Sequence, residues 1–149
     1  MTQTATVNAY LRTKVFTASP EELRLLLLDG AVKFARQGRE GLASRDFEAS
    51  YSGISQCRNI ILELINTMRP EHDPVLCERI GALYTFIYSE LVAANLERDI
   101  ARMDRVIGLI EFERETWSML MQQLASERSG GTPDPAPAAR PQTSLAIDA

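Results

Sequence analysis

The sequence predicts an all-α protein: an antiparallel four-helix bundle with a short N-terminal helical or extended segment packed on it. Three observations lead to this prediction. Apolar residues recur at helical spacing over four stretches of roughly 24 residues. The connections between these stretches are short, which places consecutive helices antiparallel. No strand-like alternation and no repeat of fixed period competes with the helical pattern.

The first bundle helix is predicted to begin after Ser19 and to run to about position 42. Ser19 suits the N-cap because its hydroxyl can accept a hydrogen bond from an unpaired backbone N–H, and Pro20 suits the first helical position. Glu22 completes a capping box with Ser19. Gly38 and Gly41 are expected to weaken the last turns. The predicted core positions are Leu23, Leu26, Leu27, Gly30, Ala31 and Phe34.

The second helix is predicted from about Arg45 to Met68, with Ser44 as its N-cap. A third helix begins with Asp73 as the cap and Pro74 in the first position, and Asp99 caps a fourth. The core positions predicted for these three helices are Phe47, Tyr51, Ile54, Ile61, Ile65 and Met68; Leu76, Ile80, Leu83, Tyr84, Ile87, Leu91 and Ala94; and Met103, Val106, Ile107, Ile110, Trp117, Met121 and Leu124.

These helices divide the chain into three predicted segments. Residues 1–18 form an N-terminal docking segment, which is too short to fold alone and must pack on something. Residues 19–128 form the bundle. Residues 129–149 form a tail rich in proline and alanine, which is predicted to be disordered because proline cannot continue a helix and little apolar mass offsets the entropy of ordering.

Composition argues against several classes of function. The net charge of -4 is unsuited to binding a nucleic-acid backbone. Two cysteines, Cys57 and Cys77, and one histidine, His72, do not supply the four ligands of a zinc site. A phosphotransfer bundle needs an exposed histidine within a helix, whereas His72 lies in a loop between two prolines. We therefore expect no catalytic residue, no metal and no cofactor.

Membrane insertion is not expected either. The first nine residues lack the basic and apolar regions of a signal peptide. The longest apolar run, Leu25–Leu28, is far shorter than the roughly 20 residues that span a bilayer.

The helices carry more apolar residues than one core needs, since a bundle helix requires only a single apolar stripe. Exposed apolar patches usually mark partner sites, and grooves between helices accept an amphipathic partner helix. The sequence therefore predicts a non-enzymatic binding protein, or alternatively a structural bundle or adaptor that self-associates, for example as a homodimer. The residues predicted off the core are Leu25, Leu28, Val32, Ile60, Leu62, Phe86, Val92, Leu96, Phe112 and Met119.

Several short segments resemble the FliS family of flagellar secretion chaperones. In the segment Tyr10–Lys33, the motif Thr-Ala-Ser-Pro at 17–20 precedes a leucine-rich helix with an Asp-Gly-Ala step at 29–31. Later segments resemble the family in the same order, over about residues 7 to 125. These are Asn59–Leu64, Ala94-Asn95 with Asp99-Ile100, Val106–Leu109 and Glu115–Trp117.

The resemblance implies a cytoplasmic chaperone that binds the C-terminal segment of flagellin, prevents premature polymerisation and aids delivery to the export gate. It also implies that the N-terminal segment covers part of the binding surface and is displaced by the client, flagellin. The same segment contributes to contact with the export apparatus, for which Tyr10 is the candidate residue. Motif matches and off-core positions together give the remaining predicted partner-binding residues: Leu25, Leu28, Asn59, Leu62, Phe86, Asn95 and Phe112. The proline-rich tail lies outside the family core, and Arg114, near the core side of the last helix, must snorkel or pair.

Overall fold

The computed structural model describes residues 2–69, 71 and 73–130, and within them it contains five helices and no strand. The helices are α1 (Thr2–Thr17), α2 (Pro20–Ala43), α3 (Phe47–Asn66), α4 (Pro74–Glu97) and α5 (Ile100–Gly130). One compact unit extends to Glu115, and a second begins at Thr116 within α5. Residues 129 and 130, the first two of the predicted tail, belong to α5. The rest of the predicted tail, residues 131–149, lies outside the described residues.

Three of the predicted helix starts are confirmed by hydrogen bonds. Ser19 and Glu22 form a reciprocal capping box, in which the Glu22 N–H donates to Ser19 Oγ at 3.1 Å and the Ser19 N–H donates to Glu22 Oε1 at 2.9 Å. Asp73 accepts from the N–H of Leu76 at 3.1 Å, and Asp99 accepts from the N–H of Arg102 at 3.0 Å. Each such cap typically stabilises its helix by about 1 kcal/mol.

The predicted cap of the second bundle helix is wrong. Ser44 closes the end of α2, where its backbone N–H donates to Glu40 O. Arg45 then adopts a left-handed conformation with φ 60, and the carboxylate of Asp46 caps α3 by accepting from the N–H of Ala49. Because one residue must leave the helical region to reverse the chain, α3 begins two residues later than predicted.

The core of the first unit is formed by α2, α3, α4 and the first half of α5. The predicted positions on α4 and α5 from Tyr84 to Ile110 are mostly confirmed, since Ile107 alone among them is only half-buried. The buried apolar side chains are Leu28, Ala31, Val32, Ala35 and Leu42 on α2; Ile54, Cys57, Ile61 and Leu64 on α3; Tyr84, Ile87, Leu91 and Ala94 on α4; and Met103, Val106 and Ile110 on α5.

The buried stripe of α2 differs from the prediction. Leu28 and Val32, which were predicted off the core, are buried, whereas most of the predicted stripe is only half-buried: Leu23, Leu26, Leu27, Gly30 and Phe34. Leucines follow one another on several sides of this helix, so apolar spacing alone does not fix which side is buried. Small residues further along α2 determine which side of the helix is buried.

Glycines bring the backbones of α2 and α3 into contact. A Cβ added to Gly41 would lie 2.5 Å from the backbone nitrogen of Ser50, and one added to Gly53 would lie 2.5 Å from the backbone nitrogen of Gly38. Side chains have no room at this contact. Gly38 and Gly41 therefore allow the two helices to pack closely, which outweighs their cost in helix propensity.

Three more predicted core residues are exposed: Tyr51, Leu76 and Leu124. Tyr51 follows the buried Ser50, and one residue turns a helix by about 100°, so the small serine faces α2 and the tyrosine faces away. Leu76 lies in the first turn of α4, and Leu124 lies in the second unit.

The predicted packing of the N-terminal segment on the bundle is not confirmed. The segment forms α1, a helix of 16 residues, but every side chain from Ala9 to Thr17 is exposed. Phe16 is the most exposed of its apolar residues. The segment thus presents apolar side chains to solvent.

Candidate partner-binding surface

Two solvent-open surfaces border α4, one toward α3 and one toward α5. The first, called the α3–α4 face, consists of Tyr51, Ser55, Arg58 and Leu62 on α3, and of Tyr88, Val92 and Asn95 on α4. The second, called the α4–α5 groove, consists of Phe86 and Glu90 on α4, and of Arg105, Val106, Gly108, Leu109 and Phe112 on α5. Residues three and four apart on a helix share one side, which makes each of these sets a continuous row.

The α4–α5 groove contains an apolar cavity of about 330 Å³. Phe86 forms its wall on α4 and is 52% exposed. Buried Val106 and half-buried Leu109 form its wall on α5. Phe112, 72% exposed, continues the row one turn beyond Leu109. Large apolar side chains thus remain in contact with water on both sides of the groove.

Gly108 keeps this groove open. A Cβ at position 108 would meet no heavy atom within 4 Å, so the missing side chain leaves space in the groove and not a backbone contact. At the rim, Glu90 is bound by Arg102 at 3.0 Å. This pair neutralises the carboxylate nearest the apolar cavity.

The α3–α4 face carries one charged residue, Arg58. The guanidinium carbon of Arg58 lies 5.9 Å from the centroid of the Tyr88 ring, which joins the two helices at the middle of the face. Leu62 is 41% exposed and Tyr51 is more so. Near one end, the Met68 side chain lies against Gly81.

Ion pairs join α2 to α5 on another side of the bundle. Arg39 binds Asp104 at 2.9 Å, and further ion pairs join Arg36 to Glu111 and Arg114 to Asp29. The last pair confirms that Arg114 is paired. Glycine contacts with α3 and ion pairs with α5 thus occupy part of the α2 surface, while Leu23 and Leu27 of α2 line a further cavity of about 560 Å³ next to Met68.

A buried polar network lies beneath this surface. Tyr84 donates to Glu113 Oε2 at 2.8 Å and accepts from Arg24 at 3.0 Å; Arg24 also donates to Thr67 at 3.3 Å. Burial, and secondarily the Glu113 carboxylate, raise the pKa of Tyr84. The network joins α2, α4 and α5 by specific geometry, and the sequence pattern did not predict the burial of Glu113.

The structure places the eight predicted partner-binding residues in different environments. Leu62 and Asn95 belong to the α3–α4 face, and Phe86 and Phe112 belong to the α4–α5 groove. Asn59 is exposed on α3, three residues before Leu62. The prediction that Leu28 lies off the core is wrong: it is fully buried, because the stripe of α2 that faces the other helices passes through it.

The other two predicted residues, Tyr10 and Leu25, lie near the junction of α1 and α2. Leu25 is half-buried and lines a cavity of about 430 Å³ together with Lys14 and Asp29. Tyr10 is exposed on α1, with the Lys14 ammonium 5.7 Å from its ring centroid. These two residues are thus separate from the surfaces that border α4.

Sequence reasoning missed Tyr51, Arg58 and Leu109 as surface residues. Tyr51 was assigned to the core, and Leu109 and Arg58 were not singled out. Arg58 directly follows the buried Cys57, so the correct phase of the α3 stripe would have placed it at the edge of the core.

The described residues include two free cysteines, of which Cys57 is buried. No group of three or more His, Cys, Asp or Glu side chains that could hold a metal ion occurs among them. Burial raises the pKa of the Cys57 thiol to about 12, so this buried cysteine stays protonated near neutral pH. In the part of the chain that the structure describes, no helix has both the length and the hydropathy needed to cross a membrane.

Comparison with known proteins supplies a family. The sequence model of the family described as "Flagellar protein FliS" matches residues 2–124. The chain is similar to the "Flagellar secretion chaperone FliS" of Bacillus subtilis, with 32% identity over 122 residues, covering 82% of this chain and 90% of the relative. It is also similar to the proteins of the same name from Campylobacter jejuni, 28% identical with coverage of 74% and 86%, and Salmonella typhimurium, 27% identical with coverage of 77% and 86%.

Proposed function

The chain belongs to the FliS family, and from this premise we propose that it is an export chaperone for flagellin. It binds the C-terminal segment of flagellin, prevents premature polymerisation and aids delivery to the flagellar export gate. The observation that carries the proposal is the apolar α4–α5 groove, along which Phe86 and Phe112 are exposed.

The client segment is proposed to bind as amphipathic helices. A helix lying in the α4–α5 groove would cover Phe86 and Phe112, and one lying on the α3–α4 face would cover Leu62. Burying the exposed parts of these three side chains, 41% of Leu62, 52% of Phe86 and 72% of Phe112, contributes roughly 1 kcal/mol each, which helps to offset the entropy that a disordered segment loses on ordering. While covered in this way, the client's own apolar residues are unavailable for polymerisation.

The N-terminal helix is proposed to act at the gate and as a competitor of the client. Tyr10 is the proposed gate-contacting residue, which is consistent with its exposure on α1. The exposed apolar side chains of α1 could pack on the same surfaces that receive the client, so that client binding would displace them. Leu25, in the cavity next to α1, would then be covered by α1 or by the client.

Further details belong to the same proposal. The helices α2 to α5 are proposed to form an antiparallel four-helix bundle. Its support is that Met68, two residues beyond the end of α3, lies against Gly81 in the first half of α4. The protein is proposed to be non-enzymatic, to reside in the cytoplasm and to bind no nucleic acid.

Calorimetry with the full chain and a peptide of the cognate flagellin C-terminal segment tests this proposal. We expect heat of binding, a stoichiometry near one to one and a gain of helical circular dichroism on mixing. Absence of a complex would contradict the proposal. Concentration-dependent sedimentation of the protein alone, unaffected by the peptide, would instead support a self-associating bundle.

A further inference from the structure

Arg58 is the one charged residue on the α3–α4 face, all of whose residues the structure describes. Its guanidinium carbon lies 5.9 Å from the ring centroid of Tyr88 on the neighbouring helix. An arginine held against an aromatic face in this way keeps a restricted orientation.

Two donors on this face are buried without an acceptor in the part of the chain that is described: Arg58 Nε and Ser55 Oγ. The two residues are three positions apart on α3, so their side chains are neighbours on one side of the helix. Buried donors are rarely left without a partner, since losing water without gaining an acceptor is costly. An acceptor from outside the described chain would satisfy both donors once the neighbouring side chains move aside to expose them.

The helices that meet at this point supply no carboxylate. The residues one turn from Arg58 on α3 are Ile54, Ser55, Ile61 and Leu62. The residues one turn from Tyr88 on α4 are Tyr84, Thr85, Leu91 and Val92. None of these is acidic, and no ion pair of Arg58 occurs among the described residues. Arg102 Nε is likewise buried without a hydrogen-bond partner, but the Arg102 guanidinium binds Glu90 through another nitrogen at 3.0 Å.

We infer that Arg58 and Ser55 determine which helices bind to the α3–α4 face. They bind the carboxylate of an Asp or Glu that lies within the apolar side of the client helix. The inference rests on the proposed function and names the residue class that the client must supply. Leu62 and Tyr51 provide apolar contacts one and two turns away on the same row. A single charge-assisted contact among apolar ones fixes the register of the bound helix and rejects segments that lack the acid.

Calorimetry with the full-length protein and a peptide of the cognate flagellin C-terminal segment measures the contribution of Arg58. Arg58→Met keeps the apolar stem and removes the donors, and we expect it to weaken the affinity about tenfold. Arg39→Met is the matched control. It removes the same charge on the α2–α5 side, and we expect a change of less than about twofold, because Arg39 lies away from α4.

A peptide series identifies the acceptor. Each Asp or Glu of the peptide is replaced in turn by its amide, and we expect one replacement to weaken binding to the original protein about tenfold but to have no effect with Arg58→Met. Arg58→Lys, which keeps the charge but lacks Nε, provides the same comparison if Arg58→Met fails to fold.

Two results would overturn the inference while leaving the chaperone function intact: an affinity unchanged by Arg58→Met, or a peptide series in which no acid couples to Arg58. A protein that binds no flagellin peptide would overturn both proposals. Self-association abolished by Arg58→Met, without any peptide binding, would identify a second copy as the occupant and would also overturn the inference.

Discussion

The same substitution, glycine to alanine, is expected to have opposite effects at two helical positions of this protein. In a solvent-open helix, alanine is favoured over glycine by roughly 1 kcal/mol, because glycine loses more backbone freedom on folding. Gly108 is such a position, since a Cβ there meets no heavy atom within 4 Å. Gly108→Ala should therefore raise the free energy of unfolding by about 1 kcal/mol.

Gly53 is also within a helix, but its surroundings are backbone atoms of α2. An added Cβ would lie 2.5 Å from Gly38 N, 2.8 Å from Gly38 Cα and 2.8 Å from Phe34 O. Ordinary contact begins at 3.4 Å, so the two helices would have to separate locally by about 0.9 Å. Such overpacking costs typically 1–3 kcal/mol, and we expect the upper part of that range because backbone atoms cannot rotate away. Since alanine regains roughly 1 kcal/mol of helix propensity, the net loss in the free energy of unfolding is roughly 2 kcal/mol.

Guanidinium unfolding followed by circular dichroism measures both variants. The free-energy change is taken from the midpoint at constant slope, because a changed slope would signal an altered unfolded state. The reasoning is refuted if Gly53→Ala is as stable as Gly108→Ala. Equal stability would mean that the backbones of α2 and α3 are not in contact at Gly53.

Three further predictions concern the core, the polar network and the N-terminal helix. Burial raises the folded-state pKa of Cys57 from 9.0 to about 12. The stability that the buried neutral thiol contributes is therefore fully present below pH 9 and is lost as the pH rises from 9 toward 12. Unfolding at several pH values should show this fall in the free energy of unfolding, and Cys57→Ala should make the fall smaller. Tyr84→Phe removes the hydroxyl that binds Glu113 and Arg24 and should lower the free energy of unfolding by about 1–3 kcal/mol in urea titrations; an unchanged midpoint would contradict the network. Deletion of residues 1–13 should leave the far-ultraviolet spectrum per bundle residue and the unfolding transition intact, while affinity for the flagellin peptide holds or rises; a large fall in affinity would contradict the competing role of α1.

Local chemistry made the helix starts predictable. Ser19, Asp73 and Asp99 each combine a side-chain acceptor with the residues that follow, and capping involves only atoms within one turn. The stripes of α4 and α5 were mostly predictable from Tyr84 to Ile110 because their apolar residues repeat on one side. In both cases the information lies within a few neighbouring residues.

The buried side of α2 depends on contacts that are distant in sequence. Leu28 and Leu27 are equally apolar, and only the close approach of Gly38 and Gly41 to Ser50 and its neighbours decides which leucine turns inward. The prediction for Leu28 was wrong for this reason. A residue can be assigned to the surface only when the buried side of its helix has been identified correctly.

Some surface features required both helices to be placed. Phe86 and Phe112 were predicted off the core on separate helices, but their position along one groove follows from the packing of α4 against α5. Arg58 needed the neighbouring Tyr88 ring before its buried donor could be noticed. Each of these features depends on two residues that lie far apart in the chain.

Filling the α4–α5 groove from within tests the chaperone account most directly. Gly108→Phe introduces a large side chain in the groove at a position where an added Cβ meets no heavy atom within 4 Å. Calorimetric titration of this variant with the flagellin C-terminal peptide should show affinity reduced at least tenfold, with an unfolding midpoint close to that of the unaltered protein. Unchanged affinity in a folded Gly108→Phe protein would contradict client binding in this groove.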